Sequence, residues 1–291
     1  MLSIGLRVVG LIALAVALSS ATAQRPRAAE SSDPWPDLVR DVFAGRHLTD
    51  GTGLIAINMP ARAEDAGIVP VTLSATIPPG DDRVPVAFTL VIDMNPAPVA
   101  ATFKVGPGVT TISTRVRVND YTNVHAVAEL SDGQLYVVNT FVKASGGCSA
   151  PMAKNPEEAT ANLGQMRFRQ FAGSSPGYEA QIMIRHPNNS GLQRDQITHL
   201  YIPLFIVREL RLWQGDQLLL EMQGGISISE DPNFRFSYRP NGAAQRPSAP
   251  RRLIPRAMSS GASGLPNRPA RYPKRLVSVV GAGHKDLGIV P

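Results

Sequence analysis

The sequence predicts an all-β chain built as two antiparallel sandwiches in tandem. Three observations predict it. Short runs rich in Val, Ile, Thr and Phe recur through residues 67–143 and again through 178–238. Turn formers separate them, among them Pro78-Pro79-Gly80, Asn95-Pro96, Gly106-Pro107-Gly108, Asn119-Asp120 and Asp132-Gly133. Between the two series, residues 149–164 carry Pro, acidic residues and Asn with little to bury, and read as a linker. Short strands at regular spacing are the pattern of a sandwich. Segments of roughly 100 and 80 residues also fall within the usual size of a domain.

The chain opens with Arg7, an apolar run over 8–18, and Ala21-Thr22-Ala23 before Gln24. A charged start, a short hydrophobic stretch and an A-x-A-like site form a secretory signal, cut after Ala23. The run is shorter than the roughly 20 residues a membrane-spanning helix needs. Residues 1–23 are therefore expected to be removed on export to a bacterial periplasm. No membrane partner and no lipid anchor are expected. Residues 36–43 place apolar side chains at 38, 39, 42 and 43, one face of a short helix with Pro36 and Asp37 in its first turn. Strands follow at 67–77, 84–93, 99–105, 110–118, 123–130 and 134–143, with Asp132-Gly133 marking a hairpin between the last two. The second series is predicted at 178–185, 200–213, 217–223, 226–229 and 234–238, with Gln214-Gly215-Asp216 as a turn.

From residue 245 the character changes. Residues 245–291 hold seven prolines, nine Lys/Arg and one Asp, with almost no apolar periodicity. Such a stretch cannot bury enough surface to offset the entropy of ordering it, and is expected to be disordered. Only 276–280 reads as a strand. The overall net charge of +6 belongs to this tail; residues 24–244 alone are net −3. An exported chain with a mildly acidic body is not expected to bind nucleic acid.

Gly173-Ser174-Ser175-Pro176-Gly177 matches a hydrolase nucleophile pattern, but Pro176 has no N–H to offer an oxyanion. A strand follows where that motif needs a helix. The histidines at 47, 125, 186, 199 and 284 show no ligand spacing, and His125 reads as a strand residue satisfied locally. No metal, cofactor or phosphate-binding signature is present, so neither metal nor cofactor is predicted.

What remains is Cys148, the single cysteine, in Lys143-Ala144-Ser145-Gly146-Gly147-Cys148-Ser149-Ala150-Pro151. It cannot form an internal disulfide. A leftover cysteine in an exported chain points to intermolecular pairing or a free reactive thiol, with a buried structural cysteine as the alternative. Gly146 and Gly147 strip away shielding side chains, so the sulfur is expected to be accessible. Lys143 is the nearest cation in sequence that could favour the thiolate. No acid or base accompanies the thiol, which suits carrying a group better than catalysing its transfer.

These residues resemble the SoxYZ sulfur-carrier proteins of periplasmic sulfur oxidation. Residues 24–148 are similar to SoxY through Glu64-Asp65-Ala66-Gly67-Ile68-Val69-Pro70-Val71, Asn95-Pro96, Ser113-Thr114-Arg115-Val116-Arg117, residues 126–133 and Gly146-Gly147-Cys148. Residues 165–244 are similar to SoxZ through His186-Pro187, Ser190-Gly191-Leu192, Ile202-Pro203, Gly215 and Asn233-Phe234-Arg235-Phe236. The resemblance implies two immunoglobulin-like sandwiches paired within the chain and a non-catalytic Cys148 that carries oxidised sulfur covalently, as in thiosulfate oxidation. It implies sulfur-oxidising enzymes or c-type cytochromes as partners. The fused arrangement looks like carriers associated with quinoprotein dehydrogenases, for which a non-covalent accessory role is the alternative. Two departures stand out. Cys148 is internal, with Ser149 where another glycine is usual. The tail replaces the last strands of a SoxZ-like domain, as a shifted reading frame or unrelated fusion would, and is expected to leave a sheet edge open.

Overall fold

The computed structural model describes residues 33–151, 162–172, 177–214, 216–239 and 277–281. The signal segment, residues 173–176 of the rejected hydrolase pattern, and the tail outside 277–281 lie beyond the described residues. The helix predicted at 36–43 is present as α1 (Trp35–Phe43) and ends at Ala44, whose φ of 52° turns the chain out. Eight strands then lead to Cys148: β1 (Leu48–Asp50), β2 (Ile55–Asn58), β3 (Val69–Ala75), β4 (Pro85–Ile92), β5 (Val99–Val105), β6 (Thr111–Val116), β7 (Thr122–Leu130) and β8 (Leu135–Val142). Beyond it come β9 (Met166–Ala172), β10 (Tyr178–Ile184), β11 (Val207–Gln214), β12 (Gln217–Gly224), β13 (Asn233–Tyr238) and β14 (Val277–Gly281).

Strand and turn chemistry account for most of this. Alternation of buried and less buried positions in β3 and β6 puts Val69, Val71 and Leu73, then Ile112, Thr114 and Val116, on the inner face. Gly133, at φ 77°, closes the predicted β7–β8 hairpin, with Gly133 N donating to Leu130 O at 2.9 Å. Two sequence expectations differ from the fold. The 200–213 run is strand only from Val207, and 226–229 contributes a single bridge between Ile228 and Val116. β1 and β2, three and four residues long, are too short for an alternating pattern to reveal.

The fold is an all-β sandwich of two sheets. One runs β1-β8-β7-β4-β5-β12-β11-β14, the other β2-β3-β6-β13-β10-β9. Both sheets cross from the first half of the chain to the second. β5 pairs antiparallel with β12 and β6 with β13, so the two halves share both sheets. The core is continuous across this join, where the rings of Phe103 and Phe234 meet edge to face at 6.0 Å. Each fully buried side chain of this size contributes about 1.5–3 kcal/mol of transfer free energy. β14 pairs with β11, so the edge expected to stand open carries a strand. No helix among the described residues is long and apolar enough to cross a membrane.

On the outer face of the first sheet, Trp35 stacks flat on His125, with centroids 3.5 Å apart. His125 Nδ1 lies 3.0 Å from Asp93 Oδ1, and both side chains are buried. The local satisfaction expected of His125 thus comes from Asp93 and α1.

Between the halves runs a seam of buried polar groups. Asn188 ties together the second half's side of it: its amide donates to Ile228 O at 2.7 Å, and its Oδ1 accepts from Val207 N at 2.8 Å. Its φ of 49° also suits asparagine better than most residues. Asn188→Ala strands a buried carbonyl and a buried N–H, at about 1–3 kcal/mol each. We expect a loss of about 3 kcal/mol in urea unfolding. Asn189, next in sequence, has no partner for its own Oδ1. Asn189→Ala is expected to change the same midpoint by less than about 1 kcal/mol.

Candidate functional site

The turn at residues 146–149 presses Cys148 into this seam. Gly146 supplies the bend: its φ is 73°, and a Cβ there would meet only Ser149 Oγ at 3.8 Å. Gly147 supplies close approach, since a Cβ there would meet Ala66 O at 2.0 Å and Val118 O at 2.5 Å. Both glycines donate N–H groups back to the first half, Gly146 to Asn119 O at 2.7 Å and Gly147 to Val118 O at 3.1 Å. The second half holds the other side. Ser190 Oγ donates to Cys148 O at 2.5 Å, and Gln193 Nε2 donates to Ala150 O at 2.9 Å.

Cys148 is consequently buried, with 0% exposure. This corrects the expectation that its flanking glycines present the sulfur. The space that Gly147 leaves is filled by the backbone of residues 66 and 118, so here the glycine serves packing. Burial pushes the thiol up to about 11, and Arg117 pulls it part of the way back. Lys143, suggested by sequence proximity, is exposed and is not the cation acting on the sulfur.

Arg117 belongs to the Ser113–Arg117 run that resembles SoxY, and its place in the fold gives it a role. It follows the last residue of β6, and its backbone N donates to Ser227 O at 2.7 Å. Only 2% exposed, it reaches Gly147 O through Nη1 and Asn188 O through Nη2, each at 3.4 Å. Its Nε has no partner. Burial lowers its pKa, against the attraction of Glu230, Cys148 and Asp65. Around it, Asn95 donates to Arg117 O and Ser227 Oγ, both at 2.8 Å, while Ser229 Oγ donates to Gly67 O at 2.8 Å. His186 completes the floor. Its Nδ1 accepts from Asn188 N at 3.0 Å, and burial holds its pKa down to about 4, so it stays neutral near pH 7.

Two family models match the chain: sulfur oxidation protein SoxY over residues 39–148 and sulphur oxidation protein SoxZ over residues 169–247. The chain is a SoxYZ-like fusion. Its SoxY match ends on Cys148, the residue docked against the SoxZ half. The paired sheets β5–β12 and β6–β13 are thus the SoxY–SoxZ join, and the polar seam lies along it. A search of curated proteins returned no match. Among solved structures, the chain is similar to a variant of the superoxide reductase (neelaredoxin) from Ignicoccus hospitalis. That similarity has 12% identity, covers 37% of this chain and 90% of that one, and has a TM-score of 0.28, too slight to bear on fold or function.

Proposed function

We propose that this SoxYZ-like chain is a periplasmic, non-catalytic carrier that holds a small sulfur-containing group covalently on Cys148 and presents it to sulfur-oxidising enzymes. The observation that carries the reading is the position of the thiol: the end of the SoxY match, on a glycine turn seated in the SoxZ half. The docked turn is the storage form. Five hydrogen bonds hold the backbone of residues 146–150: Arg117, Ser190 and Gln193 donate to it, and Gly146 and Gly147 donate to Asn119 O and Val118 O. At about 0.5–1.5 kcal/mol net apiece, a docking partner can displace them and draw the sulfur into its own active site. There the thiolate attacks a sulfur atom with departure of its leaving group. Alternatively it joins a sulfane sulfur as two electrons pass to a c-type cytochrome. Export through the signal at residues 1–23 places the chain where such partners work.

The complete burial of Cys148 favours a second reading, in which the chain is a non-covalent accessory of a quinoprotein dehydrogenase and uses its surfaces alone. Protein recovered from the periplasm and measured by intact mass separates the two. The carrier predicts a sulfur-bearing adduct, removed by reductant and absent from Cys148→Ser, and loss of the host's sulfur oxidation in that variant. Full biological activity of Cys148→Ser would establish the accessory reading instead.

A further inference from the structure

Buried arginines are ordinarily matched by a carboxylate, because an uncompensated charge away from water is costly. Arg117 is not. Among the described residues no carboxylate forms an ion pair with it. Its two hydrogen bonds are to neutral carbonyls at 3.4 Å, longer than the usual 2.7–3.2 Å range. Its Nε is buried without a partner. One of those carbonyls belongs to Gly147, the residue before the thiol, so the guanidinium and the sulfur occupy the same end of the seam. The open donors form a planar fork that suits two oxygens of an anion.

We propose that Arg117 is the binding group for an anionic sulfur substituent on Cys148, a sulfonate-terminated one above all, and that it holds the loaded turn in the seam. The unloaded thiol is neutral and leaves the guanidinium only the longer-range attraction of Glu230 and Asp65. Loading supplies a counter-ion in contact with it. The loaded turn therefore docks more firmly than the empty one, and cargo in transit is shielded from stray thiols. A partner opens the turn by offering the anion a better site.

The inference rests on the carrier reading of Cys148, but chemical loading of purified protein tests it whether or not a cell loads the thiol. Tetrathionate transfers a thiosulfonate: the Cys148 thiolate attacks an inner sulfur, giving Cys–S–S–SO3⁻ and releasing thiosulfate. Methyl methanethiosulfonate gives the neutral Cys–S–S–CH3 of similar size and releases methanesulfinate. Both adducts are driven to completion with excess reagent at alkaline pH and checked by intact mass. The readout is the rate at which dithiothreitol removes each adduct. Arg117→Gln is expected to speed removal of the anionic adduct at least tenfold more than it speeds removal of the methyl adduct. Arg117→Lys is expected to restore part of the protection. Equal acceleration of both adducts, or of neither, would overturn the proposal and leave Arg117 a structural residue. Should Arg117→Gln fail to fold, the native protein alone decides. Its thiosulfonate form must melt several degrees above its methyl disulfide form, and an equal or lower melting temperature sinks the idea.

Discussion

Gly147→Ala is expected to unseat the Cys148 turn and to lower stability by about 3 kcal/mol, the upper part of the range for overpacking. The added methyl would stand 2.0 Å from Ala66 O and 2.5 Å from Val118 O. Both are backbone atoms tied into the fold, because Val118 N donates to Ala66 O at 2.9 Å and Gly147 N to Val118 O. Neither can step aside as a flexible side chain would, so the turn itself must move. The thiol then leaves its pocket, and its rate of alkylation near neutral pH should rise at least tenfold. Gly146→Ala is the contrasting case. Its Cβ would meet nothing closer than Ser149 Oγ at 3.8 Å, and the penalty comes only from its φ of 73°. A left-handed backbone costs a residue with a side chain roughly 1–2 kcal/mol, so the turn stays docked and the thiol stays slow. Urea unfolding and thiol labelling of the two variants measure the difference. If both variants destabilise and label alike, the two glycines do not divide the work in this way.

The strands, the helix at the start and the β7–β8 hairpin were legible because local chemistry specifies them. Alternating apolar residues mark the half-buried faces, and Asp132-Gly133 admits the positive φ that the turn needs. Cys148 was legible as the residue of interest from composition alone. Its burial was not. The sequence shows that Gly147 is bare but not that carbonyls from residues 66 and 118 come to rest against it. Such an approach depends on the pairing of segments far apart in the chain. The same holds for the shared sheets, since nothing local in β5 or β12 announces that Phe103 will face Met222. Arg117 was hidden by its own pattern. Alternation through Thr114-Arg115-Val116-Arg117-Val118 reads as two outward arginines, and Arg115 follows it. β6 ends at Val116, however, and the chain then turns Arg117 into the seam. Ser190 and Gln193 matter only because the SoxZ half docks there, which one-dimensional spacing cannot express.

A docked, neutral Cys148 thiol has its own signature in the pH profile of alkylation by iodoacetamide. A free cysteine near its ordinary pKa of about 8.5 is roughly one-tenth thiolate at pH 7.5, whereas a thiol at about 11 is several hundredfold less ionised. The folded protein should therefore label at least about a hundredfold more slowly than the same chain in denaturant at pH 7.5. Its rate should climb about tenfold per pH unit through pH 10 without levelling. The linkage has a definite sign: a thiol whose folded pKa is raised stabilises the fold below the unfolded value. That stabilisation is lost as pH rises from about 8.5 through about 11, a slope that Cys148→Ser should lack. Rapid labelling of folded protein with a midpoint near pH 8.5, unchanged by denaturant, would contradict the docked thiol.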